Sequence, residues 1–174
     1  MDWEAFRWFV LGAELSRLEW ERKERRRGRA RLVELKTEKD VRLARALIEK
    51  YHSMGLPPGS GGGRGSRYFA WVVGGYICAV AWLHDSTPFR SIAEKLGIPS
   101  EGSYFVRRLC ETCPGDHLAP FLAALARKLK SEGAQLIWTF GLDDRTNTAY
   151  KRAGFTEAGK TPRTQRPVYI LPLR

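Results

Sequence analysis

Cysteine is scarce in this chain and odd in number: three among 174 residues. An odd count leaves a thiol without a partner, which argues against a secreted disulfide framework and for a reducing compartment. Long apolar runs are absent too. No stretch approaches the roughly 20 residues that cross a bilayer, and Met1-Asp-Trp-Glu4 lacks a basic segment ahead of an apolar one. The expectation is a soluble, intracellular (cytoplasmic) protein with no membrane contact. Acids are outnumbered, 19 against 30 basic residues, for a net charge of +11 and a pI near 10.0. That balance puts a polyanion first among partners, because basic surface attracts phosphate over distances that salt only partly screens. No internal repeat is visible. A chain of this length, 43% hydrophobic, can bury one core and carry one appendage, but not two full domains.

The appendage is read at the start. Residues 1 to about 28 form an amphipathic pattern, with Trp3, Phe6, Val10 and Ala13 in one row and Trp8, Leu11, Leu15 and Leu18 in a second. So wide an aromatic face needs cover from the main domain or from a second copy, so a homodimer through this helix is one expectation. The predicted organisation is an N-terminal amphipathic basic helix over 1–30 and a main domain over 31–174. From Arg22 to Arg31 there are seven basic residues and one acid. Arg22, Lys23, Arg25, Arg26, Arg27 and Arg29 are candidate contacts to a nucleic-acid backbone, although such cations also complement a helix C-terminus.

Leu32 to Leu35 reads as a strand. Thr37-Glu-Lys-Asp40 is a capping box with Asp in place of Glu, and the helix it opens has the stripe Val41, Ala44, Leu47, Ile48 and Tyr51. Gly55 to Ser66 has too much glycine and proline for regular structure and reads as a substrate or lid loop beside a site. It contains Gly59-Ser60-Gly61, but neither a Gly-Lys-Ser/Thr ending nor a following helix that would make a phosphate loop. Arg67 to Val73 and Tyr76 to Leu83 flank Gly74-Gly75, a hairpin signal. Pro88 to Leu96 is a short helix stopped by Gly97.

The chain is organised around 104–160. Tyr104 to Leu109 is a strand, Cys110 to Asp116 a turn, and Leu118, Leu122, Leu125 and Leu129 one face of a helix that Gly133 stops. Gln135 to Phe140 has the composition of a buried strand. Asp143 to Asn147 supplies helix-start residues ahead of Ala149 to Ala153, and Val168 to Leu171 is a last strand.

This order of elements, with Tyr150-Lys-Arg-Ala-Gly-Phe155 and Glu157-Ala-Gly-Lys160, resembles the GNAT (GCN5-related N-acetyltransferase) superfamily over about residues 31 to 174. The resemblance implies an α/β fold with a mixed, mostly antiparallel central sheet flanked by helices. It also implies an acyltransferase using acetyl-CoA or a related acyl donor, with Tyr150 able to protonate the leaving thiolate. The family's phosphate-binding turn usually carries a basic residue and two glycines. The equivalent here, Cys110-Glu-Thr-Cys-Pro-Gly-Asp-His117, has one glycine, Gly115, and two acids.

A divergent branch, the phage Mom-like DNA-modification proteins that act on adenine and lack the usual cofactor loop, is similar at Tyr51-His52, Arg107-Arg-Leu109, Phe121-Leu122, Asp143 and Tyr150. It implies that His52, Arg108, Asp143 and Tyr150 line the site, that DNA more than RNA is the partner, and a phage or viral source. The serine expected near the start of the central helix is Ala119 here. Arg107, Gly115 and Asn147 join Arg108 as candidate substrate or cofactor contacts.

His52 reads as a general base or a helix-end cap, and the resemblance to that branch adds a metal ligand as a third role. Cys110, Cys113 and His117 have ligand types and spacing for part of a zinc site, although a turn that merely contains thiols is the simpler reading and no metal is predicted. Lys160, Arg163, Arg166 and Arg174 make the C-terminal segment basic, and Trp20, Trp82 and Trp138 are candidate stacking platforms for bases. Three functions stand at this point. The first is a transferase acting on a base amine, with the glycine-rich loop and His52 positioning the amine. The second is a conventional acetyl-CoA-dependent N-acetyltransferase for a protein or small-molecule amine. The third is a non-catalytic basic module for nucleic acid or ribonucleoprotein.

Overall fold

The computed structural model describes residues 29–57, 65–85, 89–142 and 144–173. The expected N-terminal helix, with Arg22, Lys23 and Arg25 to Arg27, lies outside these residues, as do most of the glycine-rich loop, Asp143 and Arg174. Among the described residues no helix is long and apolar enough to cross a membrane.

The chain runs β1 (Arg31–Leu35), α1 (Glu38–Tyr51), β2 (Ser66–Val73), β3 (Tyr76–His84), α2 (Arg90–Lys95) and β4 (Ser103–Glu111). It continues with α3 (Leu118–Ser131), β5 (Leu136–Phe140), α4 (Asp144–Arg152), β6 (Thr156–Lys160) and β7 (Pro167–Pro172). The strands form one sheet in the order β1-β2-β3-β4-β5-β7-β6. Every neighbouring pair is antiparallel except β4 and β5. Gly74 and Gly75, at φ 59 and 90, take the left-handed backbone that a two-residue hairpin turn needs.

The side-chain alternation of the strands feeds two faces. On one, α1 buries Leu43, Ala44, Leu47 and Ile48 against Tyr68, Val80 and Trp82. Thr37 opens this helix as expected: its hydroxyl accepts the Asp40 N–H at 3.1 Å, and Asp40 accepts the Thr37 N–H at 3.2 Å. The buried stripe is shifted from the predicted one, since Leu43 is inside while Val41 and Tyr51 are half-buried. On the other face, the predicted α3 row of Leu118, Leu122, Leu125 and Leu129 is buried together with Phe121 against Phe69, Leu83, Ile137 and the Tyr150 ring of α4. Ala93 of α2 packs with Phe105, Trp138 and Val168 in a third cluster. Trp82 and Trp138 are fully buried, so neither offers a surface for stacking a base; alternation along β3 and β5 turns both into the core.

Arg67 of β2 ties this assembly at one edge. It donates to Glu34 of β1 at 2.8 Å and to Glu132 at the end of α3 at 2.7 Å, and its guanidinium lies over the Phe69 and Tyr104 rings. Lys128 also reaches Glu132 at 2.7 Å. The Arg67 bond, seconded by Lys128, holds the Glu132 carboxyl at about 2.

The pairing of β3 with β4 is irregular at one point. Trp82 pairs with Arg108, and the next residue of β3, Leu83, pairs with Val106, so Arg107 is an extra residue in β4. Such a bulge shifts the alternation by one. Val106 and Leu109, three apart, therefore both face α3, while Arg108 lies opposite Trp82 on the α1 side.

Candidate active site

The parallel pairing of β4 with β5 runs only from Ser103↔Leu136 to Val106↔Thr139. The Thr139 hydroxyl closes it by donating to the Val106 carbonyl at 2.9 Å. Beyond Val106 the only strand partner of β4 among the described residues is β3, resumed at Arg108, and the two parallel strands part. The gap is a cleft of about 260 Å³. Val106, Leu109, Thr139 and Gly141 form its floor, Thr146 and Tyr150 enter from α4, and His52, Met54, Arg107, Arg108 and Arg166 stand around its mouth. It is continued by two further depressions past Leu142 and Leu118 to Glu111 and Gly115 at the start of α3.

Thus the structure brings together four expected residues: His52, Arg107, Arg108 and Tyr150. The Tyr150 side chain is almost wholly buried, held between Phe155 and Tyr169 at ring separations of 5.3 and 5.6 Å. His52 is the C-cap of α1, and its Nδ1 accepts the Met54 N–H at 3.1 Å. That bond leaves the proton of the neutral ring on Nε2, so the imidazole is set up as a donor; the expected base role would have to give up the Met54 bond.

Arg108 donates from Nε to the Gly55 carbonyl and from a terminal nitrogen to the Arg107 carbonyl, each at 2.8 Å. It pins the end of the α1 loop to the sheet. Burial, then the charges of Arg107 and Arg166, push its pKa down. Arg107 lies 4.6 Å from the centre of the Trp82 ring and meets His84 Nε2 at 3.2 Å. Burial, then Arg107, depresses the His84 pKa, which favours the neutral imidazole that can accept from the guanidinium.

Asn147 stands outside the cleft lining. Its side-chain carbonyl accepts the Leu142 N–H at 3.2 Å and so shapes the loop entering α4. Gly115 lies at the far end of the groove, where a Cβ would meet His117 Nε2 at 2.5 Å. Arg29 is exposed ahead of β1. The zinc alternative loses its geometry: Cys110 packs into the α1-side core, whereas Cys113 packs against the α3 side and donates to the Ile77 carbonyl at 3.3 Å. Burial, then Glu111, raises the Cys110 thiol to about 12. Among the described residues no group of metal-ligating side chains converges.

Arg166, Thr139 and Thr146 are site residues that the sequence alone did not single out. Arg166 was visible only as part of a basic segment. Thr139, a hydroxyl inside the apolar run Leu136-Ile-Trp-Thr-Phe140, was the signal left unused.

At the start of α3, the N-cap residue His117 makes no side-chain cap. Instead Glu111, the last residue of β4, accepts the His117 N–H on its carboxylate at 2.8 Å. Asp116 is ion-paired with Arg152 of α4. Pro120, in the first turn, has no N–H to offer.

No known family profile matches the chain. A relative, uncharacterized protein 154 of Sulfolobus islandicus rod-shaped virus 1, is 50% identical over 141 residues, spanning 79% of this chain and 92% of the relative. Among solved structures, the Escherichia coli ribosomal-protein-S18-alanine N-acetyltransferase superposes with a TM-score of 0.56 at 15% identity, covering 83% of this chain and 94% of that one. The N-acyl amino acid synthase FeeM from uncultured soil microbes gives 0.62 at 13%, covering 83% and 90%. The aminoglycoside acetyltransferase AAC(6')-Ib in complex with coenzyme A gives 0.59 at 15%, covering 82% and 94%. These likenesses fix the fold, and the expected GNAT architecture of a mostly antiparallel sheet flanked by helices is met.

Proposed function

The chain belongs to the family of protein 154 of the rod-shaped virus and has the GNAT fold, and from that premise we propose that it is an acyltransferase acting on an amine. The observation that carries the reading is the parting of β4 and β5 beyond Val106 and Thr139, with Tyr150 set into the gap. An acyl thioester of the coenzyme A type supplies an activated acyl carbon. The parted strands suit its thioester end, because the β4 edge beyond Val106 has no strand partner on the β5 side and the floor is apolar. The phosphate end fits poorly, since Glu111 already sits on the His117 amide and a second acid, Asp116, stands beside it.

In this reading Tyr150 keeps a phenolic proton beside the place where the thiol departs, and a buried ring held by Phe155 and Tyr169 keeps that hydroxyl in position. His52 donates from Nε2 and orients the acceptor. Arg108, by holding the Gly55 carbonyl, fixes the loop that leads to the glycine-rich segment.

The finer reading is that the acceptor is a base amine of a nucleic acid, DNA before RNA. Its support is the net charge of +11 with the basic run from Arg22 to Arg31, together with the arginines at the cleft mouth. Copies joined through the 1–30 segment would bring two such runs together.

The test is incubation of the purified protein with acetyl-CoA and, separately, with a set of small amines, a peptide mixture and single-stranded DNA, following thiol release and product mass. An acetylated amine formed by the wild type and lost in Tyr150→Phe supports the reading. Binding of DNA without thiol release from any mixture would favour the basic-module alternative.

A further inference from the structure

We infer that the acceptor carries an oxyanion, a phosphate or a carboxylate, and that Arg107, Arg108, Arg166 and His52 receive it at the cleft mouth. This rests on the transferase reading and names its substrate class. The first ground is sign. Three guanidiniums and a donor-set imidazole surround one opening, and no Asp or Glu is among the described residues that line it.

The second ground is compensation. By contrast, half-buried Arg67 of β2 has two carboxylates, Glu34 and Glu132. The three mouth arginines, all half-buried, have no carboxylate partner among the described residues. Their bonds go to neutral groups: Arg108 to two carbonyls, Arg107 to an imidazole and an indole face, Arg166 to the Met54 sulfur at 3.7 Å. Sulfur is a weak acceptor. Cations taken partly out of water without a counter-charge are costly, and an arriving anion removes that cost. The depressed pKa of Arg108, with Arg107 and Arg166 among its causes, shows that the charges feel one another.

The third ground is shape. A planar guanidinium recognises carboxylate and phosphate oxygens by paired hydrogen bonds, and each of the three retains N–H groups beyond those already engaged. The bulge at Arg107 puts two consecutive arginines of one strand at the same opening, an arrangement that regular alternation forbids.

The experiment is calorimetric titration of matched amines that differ in the anion alone: phosphoethanolamine with ethanolamine, β-alanine with propylamine, and adenosine monophosphate with adenosine. Acetyl transfer from acetyl-CoA to each is measured in parallel. The expected result is at least tenfold tighter binding of the anionic member of one pair or more, with the preferred pair identifying the oxyanion. That preference should disappear in Arg166→Gln and persist in Arg163→Gln, an exposed arginine of the same segment outside the cleft. Arg107→Gln serves as the second variant, and thermal unfolding shows that each is folded. Equal binding within every pair, no binding by any member, or equal loss in the Arg163 and Arg166 variants overturns the inference. Anion preference without transfer to any amine keeps the receptor and removes the transferase reading; transfer that ignores the anion does the reverse.

Discussion

Replacing Glu111 by Gln should make the protein slightly less stable and better at binding coenzyme A. The carboxylate accepts the His117 N–H at 2.8 Å at the mouth of a 14-residue helix, and its charge lies at the positive end of that helix. Glutamine keeps a carbonyl acceptor but loses the charge, at a cost of about 0.5–1 kcal/mol, or a Tm lower by roughly 1–4 °C in a chain of this size. The gain comes from repulsion removed. A donor phosphate resting at the same helix start would bring a negative charge to about 5 Å from the carboxylate, and at an effective dielectric near 20 that opposes binding by about 3 kcal/mol. Allowing for screening and for rearrangement of the side chain, coenzyme A should bind roughly ten- to a hundredfold tighter to Glu111→Gln. Pantetheine, which lacks the phosphates, should bind both proteins alike. Calorimetric titration of the two ligands into the two proteins decides the matter. Coenzyme A affinity that is unchanged or weaker in a folded Glu111→Gln would mean that donor phosphates do not approach α3, and the reasoning fails.

Three further outcomes rest on the same geometry. Tyr150→Phe should lower kcat by about 10²- to 10⁴-fold with little change in KM, the pattern of a lost proton transfer, read by steady-state thiol release. Glu132 is held at about 2, below its ordinary 4.5, so its pairing with Arg67 stabilises the fold fully above about pH 4.5 and is lost as the pH falls through 2. Because the pair stays in contact with water, the loss should be about 1 kcal/mol, and Glu132→Gln should show a flatter acid limb in urea midpoints measured from pH 5 to pH 2. The Ser103 hydroxyl is buried without a hydrogen-bond partner, so Ser103→Ala should hold stability or raise it by up to about 1 kcal/mol; a loss above that in denaturant unfolding would show that the hydroxyl is satisfied.

The elements were legible because their signals are local. The capping box at Thr37, the Gly74-Gly75 turn, the leucine row of α3 and the Tyr150 segment each act within a few residues, and each lies where its pattern put it. The one shift, Leu43 for Val41 in α1, came from a helix that turns adjacent pairs, 43 with 44 and 47 with 48, to the sheet. The cleft was legible only in part. His52, Arg107, Arg108 and Tyr150 were named from a resemblance, but nothing local joins Arg108 to Gly55, 53 residues away, or Arg166 to Met54, 112 away. Nor does spacing reveal that Glu111 spends its charge on the His117 amide, although two acids in that turn were a visible departure.

The extra residue in β4 has a consequence for how this site can change over time. Because the extra residue lets two consecutive side chains share the mouth while Val106 and Leu109 both keep the α3 face, the site is written partly in a count rather than in side-chain types. Substitutions at 107 leave that count intact and can retune the opening one side chain at a time. A single deletion there would instead remove the bulge and restore regular alternation, leaving Val106 and Leu109 on the α3 face and Arg108 on the other, and would cost the mouth one of its two consecutive arginines. Relatives that diverge widely in sequence are thus free to alter what the mouth binds, provided that the length of this strand is kept.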